Sequence, residues 1–420
     1  MRLEARYGLP SEVKFCNRCV ISNQRPASSI EFRHTPDKKH RTMHFDDEGI
    51  CDACRVAEVK EQTDWQSREE ELLRLLDRHR KTDGRYDCIV PGSGGKDSVY
   101  AAHVLKYKYG MNPLTVTWPP ILYTDYGHSN FKNWIEVGGF DNLTFKQNGK
   151  VMRLLTRLSI ENLLHPFQTF ILGQKNLAPK LAALYRIPLV IYGENEAEYG
   201  NPIADNSNSI RDKSYYTMKN LGEVCLGGVP MPRLVDDYGL RLSELMAFMP
   251  VEAAEIEKVN LEVHYLGYYL KWVPQECYYY AVEHTNFQAR PFRTQGTYSK
   301  YNSIDDKIDD LHYYTTYIKF GIGRATYDAS QEIRNRHLTR DEGVALVKRF
   351  DGEFPDRYFK EVMDYIGMKP ERFLELCDTF RSPHLWKKTG GEWRLRHTVW
   401  GGGTDDYDEK GSYEKRGHTG

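Results

Sequence analysis

The sequence lacks the features of a membrane protein, a secreted protein or a strongly basic nucleic-acid-binding protein. No apolar run approaches the roughly 20 residues of a membrane-spanning helix, and residues 1–6 do not read as a signal peptide. The 58 Lys and Arg residues are balanced by 59 Asp and Glu residues, and a net charge of −1 creates no strong field for nucleic acid. We therefore expect a soluble, cytoplasmic protein that does not act on nucleic acid.

The sequence also lacks signatures of nucleophilic catalysis. Its 420 residues are enough for two domains or for one large domain with additions. We find no convincing Ser/His/Asp or Cys/His arrangement, no internal repeat and no further Cys-x-x-Cys after Cys54. The isolated cysteines are predicted to be small core residues: Cys88, Cys225, Cys277 and Cys377. The chemistry must therefore come from other motifs.

Four cysteines near the N-terminus form two Cys-x-x-Cys pairs, Cys16 with Cys19 and Cys51 with Cys54. Two such pairs usually offer four thiolates to a tetrahedral Zn²⁺, and a cytoplasmic location argues against disulfides. The pairs lie farther apart than in a standard zinc ribbon, so we expect an insertion, roughly 25–41, to loop out. The histidines between the pairs are expected at the surface and not on the metal: His34, His40 and His44.

The stretch from Tyr86 to Ser98 has the clearest chemical meaning. An apolar run ends in a Gly/Ser-rich turn that opens into helical spacing, which predicts a buried strand, a tight loop and a helix N-terminus. Such a loop directs backbone amides at an anion, typically phosphate. A Walker A loop is excluded, because it needs glycine where Val90 stands and Ser or Thr where Asp97 stands.

The six residues 93–98 instead resemble the Ser-Gly-Gly-x-Asp-Ser loop of the ATP pyrophosphatases, or PP-loop enzymes, which split ATP into AMP and pyrophosphate. Lys96 would neutralise charge on the pyrophosphate, and Asp97 would cap the helix or help to hold Mg²⁺. An ordinary Gly-rich βα turn is the alternative. The residues assigned to ATP in this loop are Ser93, Gly94, Gly95, Lys96, Asp97 and Ser98.

Strands and helices alternate around this loop. After a linker helix over 61–82, the pattern predicts helices over 97–109, 128–137, 150–164 and 174–185, and strands near 88–90, 112–117, 142–146 and 188–192. This order predicts an α/β fold with a doubly wound parallel sheet, preceded by the zinc module and followed by a mostly helical C-terminal region.

Ligands of this fold class bind at the carboxyl ends of the strands. Thr117 is therefore expected to border the nucleotide, next to Trp118, for which a core position is equally expected. The acidic stretch 193–200 follows the last strand, and Glu194 is favoured over Asn195 and Glu198 for magnesium binding or substrate positioning. A solvated acidic turn is the alternative.

Two further features occur in the C-terminal part. Helical spacing predicts Asp306 beside Asp309 and Asp310 on one face. Lys319 and Arg324 flank a glycine-bent loop, where they are expected to contact pyrophosphate or an anionic substrate. A solvated helix face and a simple helix stop are the alternatives.

We divide the chain into six segments. These are a zinc module (1–60), a linker helix (61–84), an ATP-binding α/β domain (85–200), a substrate or insert region (201–330), a helical C-terminal region (331–400) and a mobile tail (401–420).

The cysteine pairs, the loop 93–98, Gly193-Glu194-Asn195, and 306–310 with the following 319–324 together resemble the N-acetyl sugar amidotransferase family of bacterial lipopolysaccharide and pseudaminic acid biosynthesis. The resemblance spans about 10–385 and implies an adenine nucleotide alpha hydrolase-like fold. It implies that ATP adenylates the N-acetyl oxygen of a nucleotide-activated sugar and that ammonia then displaces AMP, leaving an acetamidino group. The product serves surface polysaccharide or O-antigen biosynthesis.

The resemblance also implies the partners and site residues. Ammonia is expected from a separate glutaminase similar to that of imidazole-glycerol-phosphate synthase, with a barrel-type companion. The cofactors are ATP, Mg²⁺ and structural Zn²⁺. The catalytic residues are Lys96, Asp97, Lys319 and Arg324. The ATP-binding residues outside the loop are Thr117, Gly193, Glu194 and Asp306.

Two other functions are weighed against this one. A tRNA thiolation enzyme of the PP-loop class can also carry zinc knuckles, but it needs additional reactive cysteines. A non-catalytic, zinc-bearing scaffold that only binds nucleotide would release no AMP.

Overall fold

A computed structural model describes residues 3–27, 31–194, 208–218 and 220–401. The strands are β1 (Cys88–Pro91), β2 (Pro113–Thr117), β3 (Asn142–Thr144), β4 (Leu189–Tyr192), β5 (Cys225–Leu226), β6 (Val229–Pro230), β7 (Glu262–Tyr265), β8 (Trp386–Thr389) and β9 (Glu392–Leu395). The helices of the N-terminal half are α1 (Asp52–Gln62), α2 (Trp65–His79), α3 (Lys96–His103), α4 (Asp125–Glu136), α5 (Gly149–Leu163) and α6 (Gln168–Tyr185). A π-helical turn (Val104–Lys108) extends α3.

The second half of the described chain is richer in helices. These are α7 (Met231–Tyr238), α8 (Leu242–Leu245), α9 (Ala253–Lys258), α10 (Leu266–Tyr269), α11 (Pro274–Thr285), α12 (Asp309–Phe320), α13 (Arg324–Arg334), α14 (Arg340–Phe350), α15 (Asp356–Ile366) and α16 (Pro370–Phe380). Short 3₁₀ turns occur at Glu31–Arg33, Lys213–Tyr215 and Leu221–Glu223.

Five parallel strands form the central sheet in the order β3-β2-β1-β4-β7. The chain runs outward from β1 to β3 and then returns to the other side of β1 with β4. The sheet therefore has a topological switch point between β1 and β4, where ligands of doubly wound folds bind. The predicted α/β fold with its parallel sheet is confirmed, as is the linker helix, which corresponds to α2.

Alternate residues of β1 point to opposite faces of the sheet. Ile89 joins an apolar cluster with α5 and α6, whereas Cys88 and Val90 join a second cluster with α2, α3 and α11. Both faces are covered by helices, which is why the inner strands read as continuous apolar runs. Across the described ranges, no helix has both the length and the apolar character needed to cross a bilayer.

The structure differs from the sequence prediction in three places. The sequence 263–266 is strand-like and does form a strand, β7, but this strand pairs with β4, with Val263 beside Val190, and so extends the central sheet beyond the predicted domain 85–200. The hairpins β5–β6 and β8–β9 are not predicted. The segment 286–308, expected to be mostly helical, lies between α11 and α12 without a helix. Of these differences, the position of β7 depends on pairing between distant segments, which local periodicity does not record.

The N-terminal cysteine module packs on the C-terminal part of the chain. Cys16, Cys19, Cys51 and Cys54 belong to the same buried cluster as Phe320 of α12 and Trp386 and Leu395 of the β8–β9 hairpin. This packing brings the insertion between the cysteine pairs next to α12 and α13.

Candidate active site

The loop 93–98, which we call the PP-loop after the sequence that it resembles, connects the end of β1 to the start of α3 at the switch point. Gly95 is the N-cap residue of α3, and Gly94 has a φ of +84°. Ser98 Oγ donates a hydrogen bond to the Gly95 carbonyl oxygen at 2.9 Å, and Ser93 Oγ donates to Asp305 Oδ2 at 2.8 Å. The loop therefore directs the first amides of α3 toward one point, as an anion site requires.

Lys96 and Asp97 form an ion pair in the first turn of α3. Lys96 is only 9% exposed, and its Nζ lies 2.5 Å from Asp97 Oδ2. Burial by itself lowers the pKa of Lys96, but the charges of Asp97 and Glu194 outweigh it, so the pKa is raised. Lys96 is thus a buried, permanently charged ammonium group beside the loop.

A cavity of about 530 Å³ opens beside the PP-loop at the carboxyl ends of the strands, a size typical of small-molecule sites. All six predicted loop residues line it, together with Gly193 and Glu194, which follow β4. We call it the loop cavity. Asn195 and Glu198 lie outside the described residues, as do 402–420 of the predicted tail.

Two other predicted ATP ligands do not line the loop cavity. Thr117 is fully buried, and its hydroxyl accepts a hydrogen bond from Asn142 Nδ2 at 2.9 Å. The residues on either side of it, Val116 and Trp118, line the cavity instead. The pleat of β2 explains the difference, because consecutive side chains point to opposite faces.

Asp306 is also absent from the cavity wall, because α12 begins only at Asp309. Its carboxylate accepts backbone hydrogen bonds from Ile121 at 2.6 Å and Ile308 at 3.0 Å, and burial raises its pKa to about 7. Asp305 and Asp309 line the loop cavity instead. The predicted helical face of Asp306, Asp309 and Asp310 does not exist.

A second cavity, also about 530 Å³, adjoins the loop cavity. We call it the basic cavity. The two share wall residues that include Glu194, Arg324 and Gln331. Arg324 Nε lies 2.8 Å from Asp328 Oδ1, and the guanidinium carbon lies 4.7 Å from the centre of the Tyr313 ring. Arg324 therefore stands where the two cavities meet.

Lys319 lines the basic cavity but not the loop cavity. It is 4% exposed, and its Nζ donates to the Leu163 carbonyl oxygen at 2.8 Å. The alternative of a solvated helix face is thereby excluded for Lys319. The expected surface position of His34 is wrong, because His34 is 2% exposed and lines the same cavity.

The four N-terminal cysteines converge on one point, as predicted. Their Sγ atoms all lie within 4.8 Å of one another, with 3.9 Å between Cys16 and Cys54 and 3.7 Å between Cys19 and Cys51. A tetrahedron with Zn–S bonds of about 2.3 Å has edges of roughly 3.8 Å. The four cysteines form a group that could hold a metal ion, and the distances between their Sγ atoms match those of a single tetrahedral Zn²⁺ site.

Replacing Cys16 with serine should weaken zinc binding by about 100-fold or more, because one of four ligands is lost. The thermal stability of the N-terminal module should fall with it. Zinc content after dialysis and thermal unfolding would measure both effects. Cys225→Ser is the matched control, since Cys225 is buried but lies outside the cluster. Full zinc retention in Cys16→Ser would contradict a four-cysteine site.

Comparisons with known proteins match a family model, a curated protein and a solved structure. Residues 295–399 match the family model of the LPS biosynthesis protein WbpG-like, C-terminal domain. Over 83 residues the chain is 35% identical to the uncharacterized protein MJ1599 of Methanocaldococcus jannaschii, which covers 20% of this chain and 29% of that protein. The chain thus spans less than a third of the length of this curated relative.

Among solved structures, the U34-tRNA thiolase NcsA from Methanococcus maripaludis, with its 4Fe–4S cluster, aligns over 77% of this chain and 86% of its own. The TM-score is 0.29 and the sequence identity 10%. The family match includes Asp305, Asp309, Lys319 and Arg324, and so includes one wall of each cavity. Residues 295–399 are therefore similar to the C-terminal domain of WbpG-like LPS biosynthesis proteins, which agrees with the family resemblance of the sequence.

Proposed function

We propose that the protein is an ATP-dependent amidotransferase that converts the N-acetyl group of a nucleotide-activated sugar into an acetamidino group. This proposal depends on one observation. The loop cavity and the basic cavity have the same volume and meet at Arg324. Two reactants of nucleotide size can meet there. The WbpG-like match supports a role in surface polysaccharide biosynthesis.

ATP would occupy the loop cavity with its phosphates on the loop amides and near Lys96. Asp305 and Asp309 face the same space, and two carboxylates beside a polyphosphate repel it unless a cation lies between them. These residues, with Asp97, are the proposed ligands of Mg²⁺. Bound Mg²⁺ would neutralise part of the negative charge on the phosphates.

The reaction needs no side-chain nucleophile. The amide oxygen attacks the α-phosphorus and releases pyrophosphate, which leaves an O-adenylyl imidate. Ammonia then adds to the imidate carbon, and AMP departs with the former amide oxygen. The balance is amide, ATP and ammonia to amidine, AMP and pyrophosphate. Because the amide oxygen is a weak nucleophile, the chain contributes orientation and charge stabilisation, and Arg324 at the junction is the proposed group that stabilises charge on the reacting phosphate.

A separate glutaminase with a barrel-type companion is the proposed source of ammonia, as the family resemblance implies. The test of the whole proposal is product analysis with ATP, Mg²⁺, ammonium and a panel of nucleotide-linked diacetamido sugars. We expect AMP, pyrophosphate and a sugar in which NH replaces oxygen. Release of ADP, or AMP formation that only tRNA and a sulfur donor stimulate, would refute the amidotransferase and favour other ATP chemistry or tRNA thiolation.

Asp97→Ala should lower the rate of AMP formation by about 10²- to 10³-fold, the loss typical when an electrostatic contact to a reacting group is removed. The zinc content should not change, since the cysteine cluster belongs to another part of the core. Nucleotide chromatography and metal analysis would measure the two effects. Asp125→Ala, in the exposed first turn of α4, is the matched control, and a wild-type rate in Asp97→Ala would refute its assigned role.

A further inference from the structure

A third cavity, of about 580 Å³, opens where Arg6 near the N-terminus, the end of α16 and the β8–β9 hairpin meet. We call it the hairpin cavity. It shares no wall residue with the loop cavity or the basic cavity. The proposed reaction does not use it, so its role is a separate question.

Positive charge dominates the wall of the hairpin cavity. Five cations and one carboxylate line it: Arg6, Arg381, Lys387, Lys388, Arg396 and Asp378. Asp378 is already paired with the Arg381 guanidinium, and in the part of the chain that the structure describes neither lysine has a carboxylate partner. Like charges on one wall repel one another unless an anion lies between them, so the cavity favours a ligand with several negative charges.

Two buried N–H donors in this wall also point to a ligand. Arg381 Nε and Trp393 Nε1 are both buried, and neither has a hydrogen-bond acceptor among the described residues. The Arg381 side chain is only 9% exposed. Buried polar atoms of this kind are rare unless a ligand or water satisfies them. Because both groups donate hydrogen bonds and cannot accept them, the ligand must supply acceptor oxygens.

Two tryptophan rings give the hairpin cavity an apolar part. The Arg381 guanidinium carbon lies 5.2 Å from the centre of the Trp386 ring and 5.1 Å from that of Trp393, and Lys388 Nζ lies 5.4 Å from the Trp393 ring. Rings beside cations favour a ligand that combines negative charge with an aromatic group. A small inorganic anion would satisfy the donors but would leave the rings and most of the volume unused.

The chain itself contains a segment with this chemistry. Residues 405–409 read Asp-Asp-Tyr-Asp-Glu, which is four carboxylates and one tyrosine in five residues; we call them the acidic run, and they lie outside the described residues. The Gly401 amide donates to the Thr398 carbonyl oxygen at 3.3 Å, and this turn keeps Gly401 within about 15 Å of Arg396 in the cavity wall. The acidic run follows four to eight residues after Gly401, a reach of up to about 14 to 28 Å. It can therefore return to the hairpin cavity.

We propose that the acidic run 405–409 binds in the hairpin cavity of its own chain. Its carboxylates accept hydrogen bonds from Arg381 Nε and Trp393 Nε1 and pair with Lys388, and Tyr407 packs against the tryptophan rings. A short tether holds the run at an effective concentration on the order of 1 mM, so contacts that are too weak to retain a free acidic peptide are sufficient here. This inference does not depend on the proposed function.

Carbodiimide cross-linking of the zinc-loaded full chain tests the contact, because the reagent joins a carboxylate to a lysine amine when the two touch. We expect the acidic run to be linked to Lys387 or Lys388 with a yield about 5-fold or more above that of its links to Lys369, an exposed lysine at the start of α16. Arg381→Gln should lower the yield at Lys388 about 5-fold. Equal yields at Lys388 and Lys369 overturn the proposal. Links that join two chains also overturn it, in favour of the acidic run of a second copy.

The indole signal of Trp393 gives a second measurement that needs no substitution in the cavity of the protein under test. Labelling the full chain with ¹⁵N-tryptophan gives seven indole N–H signals in an NMR spectrum, and Trp393→Phe identifies the one that matters. Neutralising the acidic run should shift the Trp393 signal by more than its line width, because the indole loses its acceptor, and should leave the Trp134 signal, from another cluster, in place. The substitutions are Asp405→Asn, Asp406→Asn, Asp408→Asn and Glu409→Gln.

The matched control neutralises cations of the same tail with Lys410→Gln, Lys415→Gln and Arg416→Gln. It changes as many neighbouring positions but none of the proposed acceptors, so the Trp393 signal should keep its wild-type position. A Trp393 signal that does not move when the acidic run is neutralised, or that moves equally in the control, overturns the proposal.

Discussion

Replacing Asp305 with asparagine should lower the rate of AMP formation by about 100-fold, whereas Asp306→Asn should mainly lower the stability. The two residues are adjacent in sequence and have the same side chain. Asp305 lines the loop cavity and accepts the hydrogen bond from Ser93. The asparagine carbonyl can still accept that bond, so the substitution removes the charge proposed to hold Mg²⁺ and leaves the loop contact in place.

Asp306 has a different role, because its carboxylate joins two backbone segments, 121–122 and the turn before α12. It accepts hydrogen bonds from the amides of Ile121, Leu122 and Ile308, using both oxygens. An asparagine has one carbonyl oxygen, so its amide group would face at least one of these N–H donors. An unsatisfied buried donor costs about 1–3 kcal/mol, and we expect the free energy of unfolding of Asp306→Asn to fall by that amount.

Urea unfolding and nucleotide chromatography on both variants would measure these effects. The KM for ATP of Asp306→Asn should stay within a few-fold of the wild type at a temperature where the variant is folded. The opposite result would be a catalytic defect in Asp306→Asn and wild-type activity in Asp305→Asn. It would show that Asp306 contributes to the ATP site, as the sequence spacing predicts, and that Asp305 does not.

This pair shows what the sequence could predict and what it could not. The PP-loop, its flanking strand and helix, and the cysteine cluster are local patterns, and each is found where the spacing predicts. The choice of Asp306 assumes that a helix already runs through it. The structure instead forms a bridge between Tyr123 and Asp306, and the Thr124 amide donates to the Asp305 carbonyl oxygen at 3.0 Å. These contacts join residues about 180 positions apart, and no local period encodes them.

The basic cavity was beyond sequence reasoning for the same reason. Its wall brings Arg25 and His34 of the insertion together with His165 and Lys319, which belong to two other segments of the chain. His34 lies alone between two cysteine pairs, and no hydrophobic periodicity around it predicts that its side chain is buried. The unusual distance between the pairs was the one available indication, and it predicts that an insertion exists without predicting where it packs.

Replacing Gly94 with alanine should lower the rate of AMP formation by about 100-fold or more and should also destabilise the fold. Gly94 has a φ of +84°, a conformation that costs an L-residue roughly 1–2 kcal/mol. An added Cβ would lie 2.6 Å from Phe131 Cα and 2.9 Å from the Asn130 carbonyl oxygen. Both are backbone atoms of α4, so no side-chain rotation relieves the contact.

The helix cannot easily move away from the new methyl group, because Asn130 anchors it. The Asn130 side chain donates to the Gln288 carbonyl oxygen at 2.9 Å and accepts from the Gln288 amide at 2.8 Å. The loop must therefore move instead, and a displacement of about 1 Å at reacting groups is enough to cost on the order of 10²-fold in rate. The expected result for Gly94→Ala is thus a joint loss of ATP use and of about 2 kcal/mol or more of unfolding free energy.

Two further glycine substitutions make this expectation specific. Gly95→Ala should keep the wild-type unfolding free energy, because its φ is −69° and the nearest atom to the added Cβ is Ser93 Oγ at 3.9 Å. Gly149→Ala, at the start of α5 with no atom within 4 Å of the added Cβ, should keep both stability and AMP formation. Chemical unfolding and AMP release measured on the three variants would decide the matter. If Gly94→Ala keeps the unfolding free energy and the rate of AMP release of Gly149→Ala, the close approach of the loop to α4 does not determine the conformation that the loop needs for AMP formation.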